Sequence, residues 1–187
     1  MLRLLFSFIS FIFFINISGS PVPDEKMKFD YIDKYKDIAI AEMYRTGVPA
    51  SITLAQGLLE SQAGTSELAV QAKNHFGIKC KSYWQGETYF HEDDDYDKNG
   101  NLTESCFRYY NSVLESYVDH SNFLLQSENY APLFELPKED FAGWAWGLKK
   151  SGYATDKSYA VKLIKLIQEF ELYKYDRAQN PWKHVLK

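Results

Sequence analysis

The stretch that decides the fold is residues 49–64, PASITLAQGLLESQAG. It begins with a proline and ends with a glycine, which are typical residues for the first turn and the end of a helix. Between them, apolar residues recur at helical spacing: Ile52, Ala55, Leu59 and Ala63. This spacing predicts a helix over 49–63 that buries one face in the protein core.

Other helices are predicted on both sides of this one from similar patterns. Their predicted ranges are 29–46, ended by Gly47; 66–73; 112–126; 138–150, ended by Gly152; and a last helix that Asp156 or Thr155 caps. Ser112 and Glu115 have the spacing of a capping box at the start of the 112–126 helix. The prolines at 132 and 137 predict a loop after that helix.

Residues 74–110 have a different pattern, in which β-forming residues precede an acidic run. Asn99-Gly100 is the strongest hairpin-turn signal that a short sequence offers, and residues 102–110 supply a return strand. The predicted fold class is therefore α+β and mostly α, with a helical body and a β-hairpin lobe. Such a layout creates a groove where the lobe meets the body.

Composition excludes two broad classes of protein. The chain has 187 residues, of which 45% are hydrophobic, and a formal net charge of −4. This length and hydrophobic content predict one globular domain and exclude a disordered chain. The negative charge argues against a nucleic-acid-binding surface. Aromatic residues make up 17% of the chain, which is high enough to need an explanation.

The amino terminus resembles a secretory signal peptide. Arg3 precedes an apolar run over 4–17, and small residues follow at 18–20. The run is shorter than the roughly 20 residues of a membrane-spanning helix, although an uncleaved anchor is the alternative. We predict a signal peptide over 1–20, a linker over 21–28, a domain over 29–176 and a polar tail over 177–187. Export to the periplasm or the cell exterior follows, with no stable membrane insertion after cleavage.

Cys80 and Cys106 are the two cysteines of the chain, and they bracket the predicted hairpin. In an oxidising compartment two cysteines favour one disulfide, which here would tie the feet of the hairpin together. Two buried thiols are the alternative.

Glu60 is the first candidate for chemistry. It follows Leu59 by one residue, so it lies about 100° around the helix from the apolar stripe, at the border of the buried face. Partial burial raises the pKa of a carboxyl group, and a helix carboxyl terminus acts in the same direction. A raised pKa suits a general acid that works near neutral pH. A solvated helix glutamate is the alternative interpretation.

The acidic run over 91–97, HEDDDYD, is the second candidate. Adjacent like charges repel, so stability alone does not favour such a run. One interpretation is a catalytic carboxylate that faces the groove, and another is a solvated hairpin tip. Calcium is a third, because Asp95, Asp97, Asn99 and Gly100 match the early positions of an EF-hand loop. However, Cys106 stands where that loop needs glutamate.

Four segments resemble the β-N-acetylglucosaminidases of glycoside hydrolase family 73, the family of flagellar-rod-type and mannosyl-glycoprotein endo-β-N-acetylglucosaminidase-like domains. Residues 54–66, LAQGLLESQAGTS, resemble its catalytic motif. Residues 74–79, NHFGIK, and 107–110, FRYY, resemble two further motifs, and 152–160, GYATDKSYA, resemble a fourth, with Lys157 where proline is usual. The four occur in order and at compatible spacing.

This resemblance implies a lysozyme-like fold and an enzyme that hydrolyses the β-1,4 bond between N-acetylglucosamine and N-acetylmuramic acid in peptidoglycan glycan strands. It implies that Glu60 is the general acid and that Tyr153 is an active-site tyrosine. The second carboxylate of the family lies on the hairpin, where Asp94 is our choice. The alternatives are Glu92, Asp93, Asp95 and Glu104.

The candidate substrate-binding residues come from the same segments and from the aromatic hairpin. They are Gln56, Asn74, Phe76, Trp84 and Tyr159. Aromatic residues of the hairpin and of the segment expected to face it are candidates to grip a glycan: Tyr83, Trp84, Tyr89, Phe90, Tyr109, Tyr110, Trp144, Trp146 and Tyr153. We expect no cofactor and no metal, no nucleic-acid partner, and a monomer.

Two other functions are compatible with this sequence. A lytic transglycosylase or muramidase can also work with one glutamate. A peptidoglycan-binding module that has lost catalysis would keep an aromatic groove without a competent acid. The presence of Glu60 within its motif favours the enzyme.

Overall fold

A computed structural model describes residues 23–96 and 102–183. The predicted signal peptide, the Asn99-Gly100 turn and the end of the polar tail lie outside the described residues. Within the described ranges, no helix has both the length and the apolar character that crossing a membrane requires.

The first helix, α1, spans Glu25–Thr46. It begins four residues before the predicted start because the Asp24 carboxylate caps it, accepting a hydrogen bond from the Met27 N–H at 2.8 Å. It ends as predicted at Gly47, whose φ of 90° lies in the left-handed region that glycine tolerates.

The second helix, α2, spans Ala50–Glu60 and lies at the centre of the molecule. Every residue from Ala50 to Leu58 is buried, because α2 packs against α1 and against two helices from the carboxyl-terminal half. At Gly57 a side chain would collide with the Tyr31 hydroxyl, since an added Cβ would lie 2.5 Å from it. The regular helix ends three residues before the predicted position, because Gln62 and Ala63 adopt positive φ angles of 51° and 54°.

A short helix, α3 (Glu67–Gln71), leads into the hairpin. Strand β1 spans Thr88–Tyr96 and pairs antiparallel with β2, which spans Leu102–Arg108. The pairing is irregular between Asp93 and Tyr96, so Asp94 and Asp95 lie in a bulge.

The predicted disulfide is present in the structure. Cys80 and Cys106 are bonded, with their Cα atoms 5.4 Å apart, and the Cys80 N–H donates to the Cys106 carbonyl at 2.8 Å. The bridge therefore fastens the end of β2 to the segment that precedes the hairpin.

The carboxyl-terminal half returns to helices. Its elements are α4 (Val113–Gln126), a 3-10 helix (Glu128–Glu135), α5 (Phe141–Lys150), α6 (Tyr159–Glu169) and a second 3-10 helix (Leu172–Arg177). The capping box at α4 is confirmed, because the Ser112 hydroxyl accepts from the Glu115 N–H. The Glu115 carboxylate reaches back to the Asn111 N–H, one residue earlier than the pattern predicts.

Three local predictions in this half were wrong. The stretch that contains Pro132 forms the first 3-10 helix and not a loop. Helix α5 begins at Phe141, three residues late, because Asp140 caps it and accepts from the Gly143 N–H. The residue at the N-cap of α6 is Ser158; Asp156 instead accepts from the Ser158 N–H and fixes the turn before the helix.

Asp176, the last residue of the predicted domain, connects the carboxyl-terminal segment to the core. It is buried, and its carboxylate accepts a hydrogen bond from the Ser51 N–H at 2.8 Å, across 125 residues of sequence. The second 3-10 helix is thus attached to the start of α2.

Candidate active site

A cleft of about 1220 Å³ lies between the helical body and the hairpin. Its walls come from the end of α2, the segment over 76–81, β1, the end of α4 and the loop between α5 and α6. Among the predicted site residues, Glu60, Phe76, Glu92 and Tyr153 line it. The predicted groove therefore exists and contains residues from all four sequence motifs.

Glu60 is the last residue of α2, so its side chain stands at the carboxyl end of the central helix. Its Oε1 accepts a hydrogen bond from the Tyr159 hydroxyl at 2.9 Å. Burial raises the pKa of Glu60 to about 7, although the Tyr159 hydrogen bond and the positive charge of Lys162 act in the opposite direction. A carboxyl group with this pKa is partly protonated at neutral pH and can donate a proton.

Tyr153 lies in the loop between α5 and α6 and follows Gly152, whose φ is 82°. Its ring stacks on that of Tyr159, with ring centres 5.6 Å apart and planes 23° from parallel. Burial raises the pKa of the Tyr153 hydroxyl well above its ordinary value, with the nearby Glu60 carboxylate acting in the same direction. The hydroxyl therefore stays protonated and available as a donor beside Glu60.

The hairpin brings one described carboxylate to the cleft, that of Glu92. Its cross-strand partner is Glu104, so two acidic residues stand directly opposite each other in the register. Such a pair lowers stability and indicates a role other than folding. Asp94, our choice for the second carboxylate, lies in the bulge two residues beyond Glu92; the side chains over 93–96 lie outside the described residues.

Strand β1 is held to the helical body by Glu67, the first residue of α3. The Tyr89 hydroxyl donates to its Oε1 at 2.7 Å, and the His91 Nδ1 lies 3.7 Å from the same oxygen. These contacts define the width of the cleft at this end, since Glu67 and His91 both line it.

Asn74, one of the predicted substrate-binding residues, has a structural role. Its side chain is buried, and its Nδ2 donates to the Ile78 and Arg108 carbonyl oxygens at 3.0 and 2.9 Å. Its Oδ1 accepts from the Ile78 N–H at 3.1 Å. These bonds fold residues 74–78 into the turn that brings Phe76 and Gly77 to the cleft.

Trp84 likewise packs against protein and is not among the described residues that line the cleft. Its ring covers the Arg108 guanidinium at 4.6 Å, and its Nε1 donates to the Glu87 carbonyl at 2.9 Å. Arg108 in turn forms a two-bond ion pair with Asp119 on α4, at 2.9 and 2.8 Å. Neither Arg108 nor Asp119 was singled out in the sequence, although Arg108 lies within the FRYY motif.

Gln56 and Tyr159 are both fully or almost fully buried, and neither is among the described residues of the cleft wall. Tyr159 contacts Glu60 directly and Gln56 contacts it through Tyr159. The Gln56 Nε2 donates to the Tyr159 hydroxyl oxygen at 3.0 Å, and that hydroxyl donates to Glu60. The structure thus places these two candidates on the core side of Glu60.

The aromatic residues grouped in the sequence are not all at the cleft. Tyr83 and Tyr153 line it, whereas Trp144 is buried in the core and packs edge-on against Phe134. Tyr110 is also buried, and its hydroxyl donates to Asp119 at 2.6 Å. Trp146 is exposed on α5 and is outside the described cleft wall.

A calcium site gains no support from the described part of the chain. Cys106 is in the disulfide, and Asp97, Asn99 and Gly100 lie outside the described residues. Over 23–92 and 103–183, where side chains are described, no group of three His, Cys, Asp or Glu residues is placed to hold a metal ion.

Comparison with known proteins identifies the family. Residues 36–172 match the glucosaminidase family model, described as mannosyl-glycoprotein endo-beta-N-acetylglucosaminidase. The chain belongs to this glucosaminidase family, glycoside hydrolase family 73. The match begins within α1 and ends at the second 3-10 helix, so it includes every element that forms the cleft.

Two relatives of this family member are similar in sequence. The exo-glucosaminidase LytG of Bacillus subtilis is 36% identical over 177 residues, which cover 91% of this chain and 60% of LytG. The peptidoglycan hydrolase FlgJ of Escherichia coli is 32% identical over 133 residues, which cover 68% of this chain and 42% of FlgJ. The chain thus spans about 60% or less of the length of these two relatives.

The fold is also that of solved glucosaminidases. The catalytic domain of the autolysin Auto from Listeria monocytogenes superposes with a TM-score of 0.70 at 26% identity, covering 83% of this chain and 91% of that domain. The predicted class, a mostly helical lysozyme-like body with a two-stranded antiparallel hairpin, is confirmed.

Proposed function

We propose that this glucosaminidase is a peptidoglycan hydrolase that cleaves the β-1,4 bond between N-acetylglucosamine and N-acetylmuramic acid, with Glu60 as general acid. The observation that carries this proposal is Glu60 itself. Its carboxyl group lines the cleft, has a pKa raised to about 7 by burial, and is held by the Tyr159 hydroxyl. The names of LytG and FlgJ support the substrate class.

Glu60 protonates the glycosidic oxygen as the bond to the leaving sugar breaks. Because the pKa of Glu60 is about 7, a large fraction of the enzyme carries this proton at neutral pH. Tyr153, on the cleft wall beside it, is positioned to hydrogen-bond the sugar at the reacting bond. Tyr83, whose side chain is exposed on the wall of the same cleft, offers a ring surface for the apolar faces of sugars.

The second carboxylate comes from the hairpin in this proposal, with Asp94 as our assignment. It either activates water or stabilises the positive charge that develops on the sugar ring. The substrate's own 2-acetamido group can take the nucleophilic role, so retention and inversion of configuration are both compatible with this arrangement. Glu92 is the alternative whose side chain lies on the described wall of the cleft.

Replacement of the acid tests the function. We expect Glu60→Gln to lose about 10²–10⁴-fold in the rate of cell-wall clearing while the circular dichroism spectrum stays that of the wild type, because the amide cannot donate the required proton. Mass spectrometry of wild-type digests should show N-acetylglucosamine at the new reducing ends. Undiminished clearing by Glu60→Gln would remove Glu60 from the mechanism.

The same digests separate the alternatives. An anhydro-muramic product identifies a lytic transglycosylase, and a muramic acid reducing end identifies a muramidase. Binding to insoluble peptidoglycan without any turnover identifies an inactive module. We also propose that cleavage is in the endo mode, whereas LytG is named an exo-glucosaminidase. Digestion of long glycan strands distinguishes the two modes, because an endo enzyme releases fragments of mixed length from the first minutes.

The second carboxylate is assigned by comparing Asp94→Asn with Glu92→Gln and Glu104→Gln. We expect Asp94→Asn to lower kcat by at least about 10²-fold, a loss typical of removing a catalytic carboxylate. The two glutamine variants serve as controls because they remove one charge each from the same hairpin. A larger loss in Glu92→Gln would transfer the role to Glu92.

Export to the periplasm or the cell exterior follows from the proposed substrate and from the signal-like segment over 1–20. We propose that the exported domain acts as a monomer, because one chain supplies the acid and the cleft wall. The size of the purified protein in solution by light scattering tests this.

A further inference from the structure

A chain of three hydrogen bonds runs from Glu60 into the core of the protein. Glu60 accepts from the Tyr159 hydroxyl at 2.9 Å, Tyr159 accepts from the Gln56 Nε2 at 3.0 Å, and the Gln56 Oε1 lies 3.1 Å from the His120 Nε2. The four residues come from α2, α4 and α6. Gln56 and His120 are 0% exposed, so water does not compete for these bonds.

The hydrogen-bond chain has a single direction because the Tyr159 hydroxyl has one hydrogen to donate and its oxygen already accepts from the Gln56 amide. The Gln56 amide has its oxygen toward His120 and its nitrogen toward Tyr159, so the nitrogen donates to the Tyr159 oxygen. The Tyr159 hydroxyl therefore directs its one hydrogen at Glu60. If the Gln56 amide turned over, its oxygen would face Tyr159 and would accept that hydrogen in competition with Glu60.

His120 determines which way the Gln56 amide lies. An Oε1 near the His120 Nε2 needs a proton on that nitrogen. The other ring nitrogen, Nδ1, is buried without a hydrogen-bond partner, which suits an unprotonated nitrogen better than an N–H group. Burial also lowers the pKa of His120 to about 3, so the ring is neutral at working pH. Stacking on Phe76, with ring centres 3.9 Å apart, fixes the plane of the ring.

We propose that His120 and Gln56 are positioning residues for catalysis, which hold the Tyr159 hydroxyl hydrogen on Glu60 and thereby limit how weak an acid Glu60 becomes. This inference rests on the proposed role of Glu60. Neither residue reaches the substrate, since both act through Tyr159. A buried Gln and His would otherwise be a poor choice beside an apolar core, because burying their polar groups costs free energy that apolar residues avoid.

Among the residues whose side chains the structure describes, the groups that interact with Glu60 are few enough for their effects to be separated. Tyr159 and Lys162 come from α6, Tyr153 comes from the preceding loop, and Glu92 lines the same cleft. Of these, Tyr159 is bonded to Gln56. A change in His120 can therefore reach Glu60 through Tyr159. The other route is Tyr153, whose ring centre lies 6.2 Å from that of His120, and a Tyr159→Phe background separates the two routes.

The test is a titration of the Glu60 carboxyl carbon by ¹³C NMR, assigned with Glu60→Gln, in wild type and variants. We expect His120→Leu to raise the pKa of Glu60 by about 1, because the ionised form loses an oriented donor. The alkaline limb of the pH profile of kcat/KM should move in the same direction. In a Tyr159→Phe background, His120→Leu should cause no additional rise, because the intermediary is already gone.

Two control variants separate positioning from packing. His120→Gln keeps an N–H donor toward Gln56 and should leave the pKa of Glu60 close to that of the wild type. His75→Leu removes another buried histidine, which bonds to Tyr31 at 2.9 Å and is not part of the hydrogen-bond chain to Glu60. This variant should also leave the pKa of Glu60 unchanged. An unchanged pKa in His120→Leu, or a rise that persists in the Tyr159→Phe background, overturns the proposal.

A measurement on the wild type covers the case in which His120→Leu does not fold. The imidazole ¹⁵N shifts should show a neutral ring with its proton on Nε2 from pH 5 to pH 8. A proton on Nδ1 would reverse the chain and overturn the proposal. Both NMR measurements are independent of turnover. The positioning role can therefore be overturned while Glu60→Gln still abolishes activity, and the proposed role of Glu60 can be overturned while the NMR results agree with the hydrogen-bond chain.

Discussion

Two glutamates, the buried Glu42 and the partly buried Glu60, show how surroundings decide the chemistry of a residue. Glu42 on α1 is almost completely buried, and Arg45 donates to both of its carboxylate oxygens. This is the usual environment of a buried carboxylate in a stable fold. Glu60 has a tyrosine hydroxyl as its partner where Glu42 has a guanidinium, and burial raises its pKa to about 7. Without a guanidinium partner, the ionised Glu60 carboxylate lowers the stability of the fold, and the same surroundings let the group hold a proton near neutral pH.

That cost predicts a pH-dependent stability difference between wild type and Glu60→Gln. The pKa of Glu60 rises from 4.5 to about 7 on folding, so the native state binds its proton more tightly than the unfolded state. The associated stability is fully present below pH 4.5 and is lost as the pH rises through 7. We therefore expect Glu60→Gln to melt at the same temperature as wild type at pH 4 and at a higher temperature at pH 8.

Thermal unfolding followed by circular dichroism at the two pH values measures this difference. Glu169→Gln is the matched control, because Glu169 also ends a helix but is exposed. Equal melting temperatures for wild type and Glu60→Gln at pH 8 would show that the Glu60 carboxyl is well solvated in the folded state.

At the scale of elements, the hairpin depends on a few strong attachments to the helical body. The disulfide holds the base of β2. The buried Arg108 on β2 pairs with Asp119 on α4, and the Tyr110 hydroxyl donates to the same carboxylate. Arg108 also donates to the Tyr83 hydroxyl at 3.1 Å, which holds one aromatic residue of the cleft wall. The attachment and the cleft are therefore built from the same residues.

Asp119→Ala is expected to destabilise the protein by about 3 kcal/mol, because it leaves the Arg108 guanidinium buried without its counter-charge. Urea unfolding measures the change. The control is Asp33→Ala, which removes the exposed partner of Lys36 and should not change the midpoint measurably. A loss in Asp119→Ala as small as in the control would mean that water reaches Arg108.

At the scale of the whole molecule, the carboxyl-terminal segment caps the central helix, α2. Pro49 precedes α2 and provides no side-chain cap, so the first N–H groups of the helix need a partner from elsewhere. Asp176 supplies it, from the second 3-10 helix to the Ser51 N–H. One end of α2 therefore depends on residue 176, and the other end carries Glu60.

Asp176→Ala should lower the free energy of unfolding by about 1–2 kcal/mol through loss of this cap. Burial raises the pKa of Asp176 from 3.8 to about 6, so the wild type loses part of its advantage as the pH rises through 6. We expect the gap between wild type and variant to be largest near pH 4 and smaller at pH 7. Arg177→Ala, at the exposed neighbouring residue, is the control in urea unfolding, and a gap that widens with pH would contradict the assignment.

Local signals in the sequence determined most of the elements. The glycine after α1, the capping box of α4, the two strands and the position of Glu60 at the border of α2 depend on residues within a few positions of one another. The disulfide was predicted from the two cysteines and from the oxidising compartment that the signal-like segment indicates. The four motifs identified the family and are the basis for proposing Glu60 as the acid. The wrong predictions, such as a loop at Pro132 where the structure has a 3-10 helix, fall in short segments whose sequence patterns are weak.

The tertiary structure alone decided what holds these parts in place. Tyr159 and Glu60 are 99 residues apart, His120 and Gln56 are 64 apart, and Asp176 and Ser51 are 125 apart. No spacing rule connects such pairs, because they meet only after several helices have packed. The same reason explains why the sequence could not show the hydrogen bonds that Gln56, Asn74 and Trp84 make within the protein. The sequence shows a polar or aromatic residue near a motif, and only packing shows which groups that residue contacts.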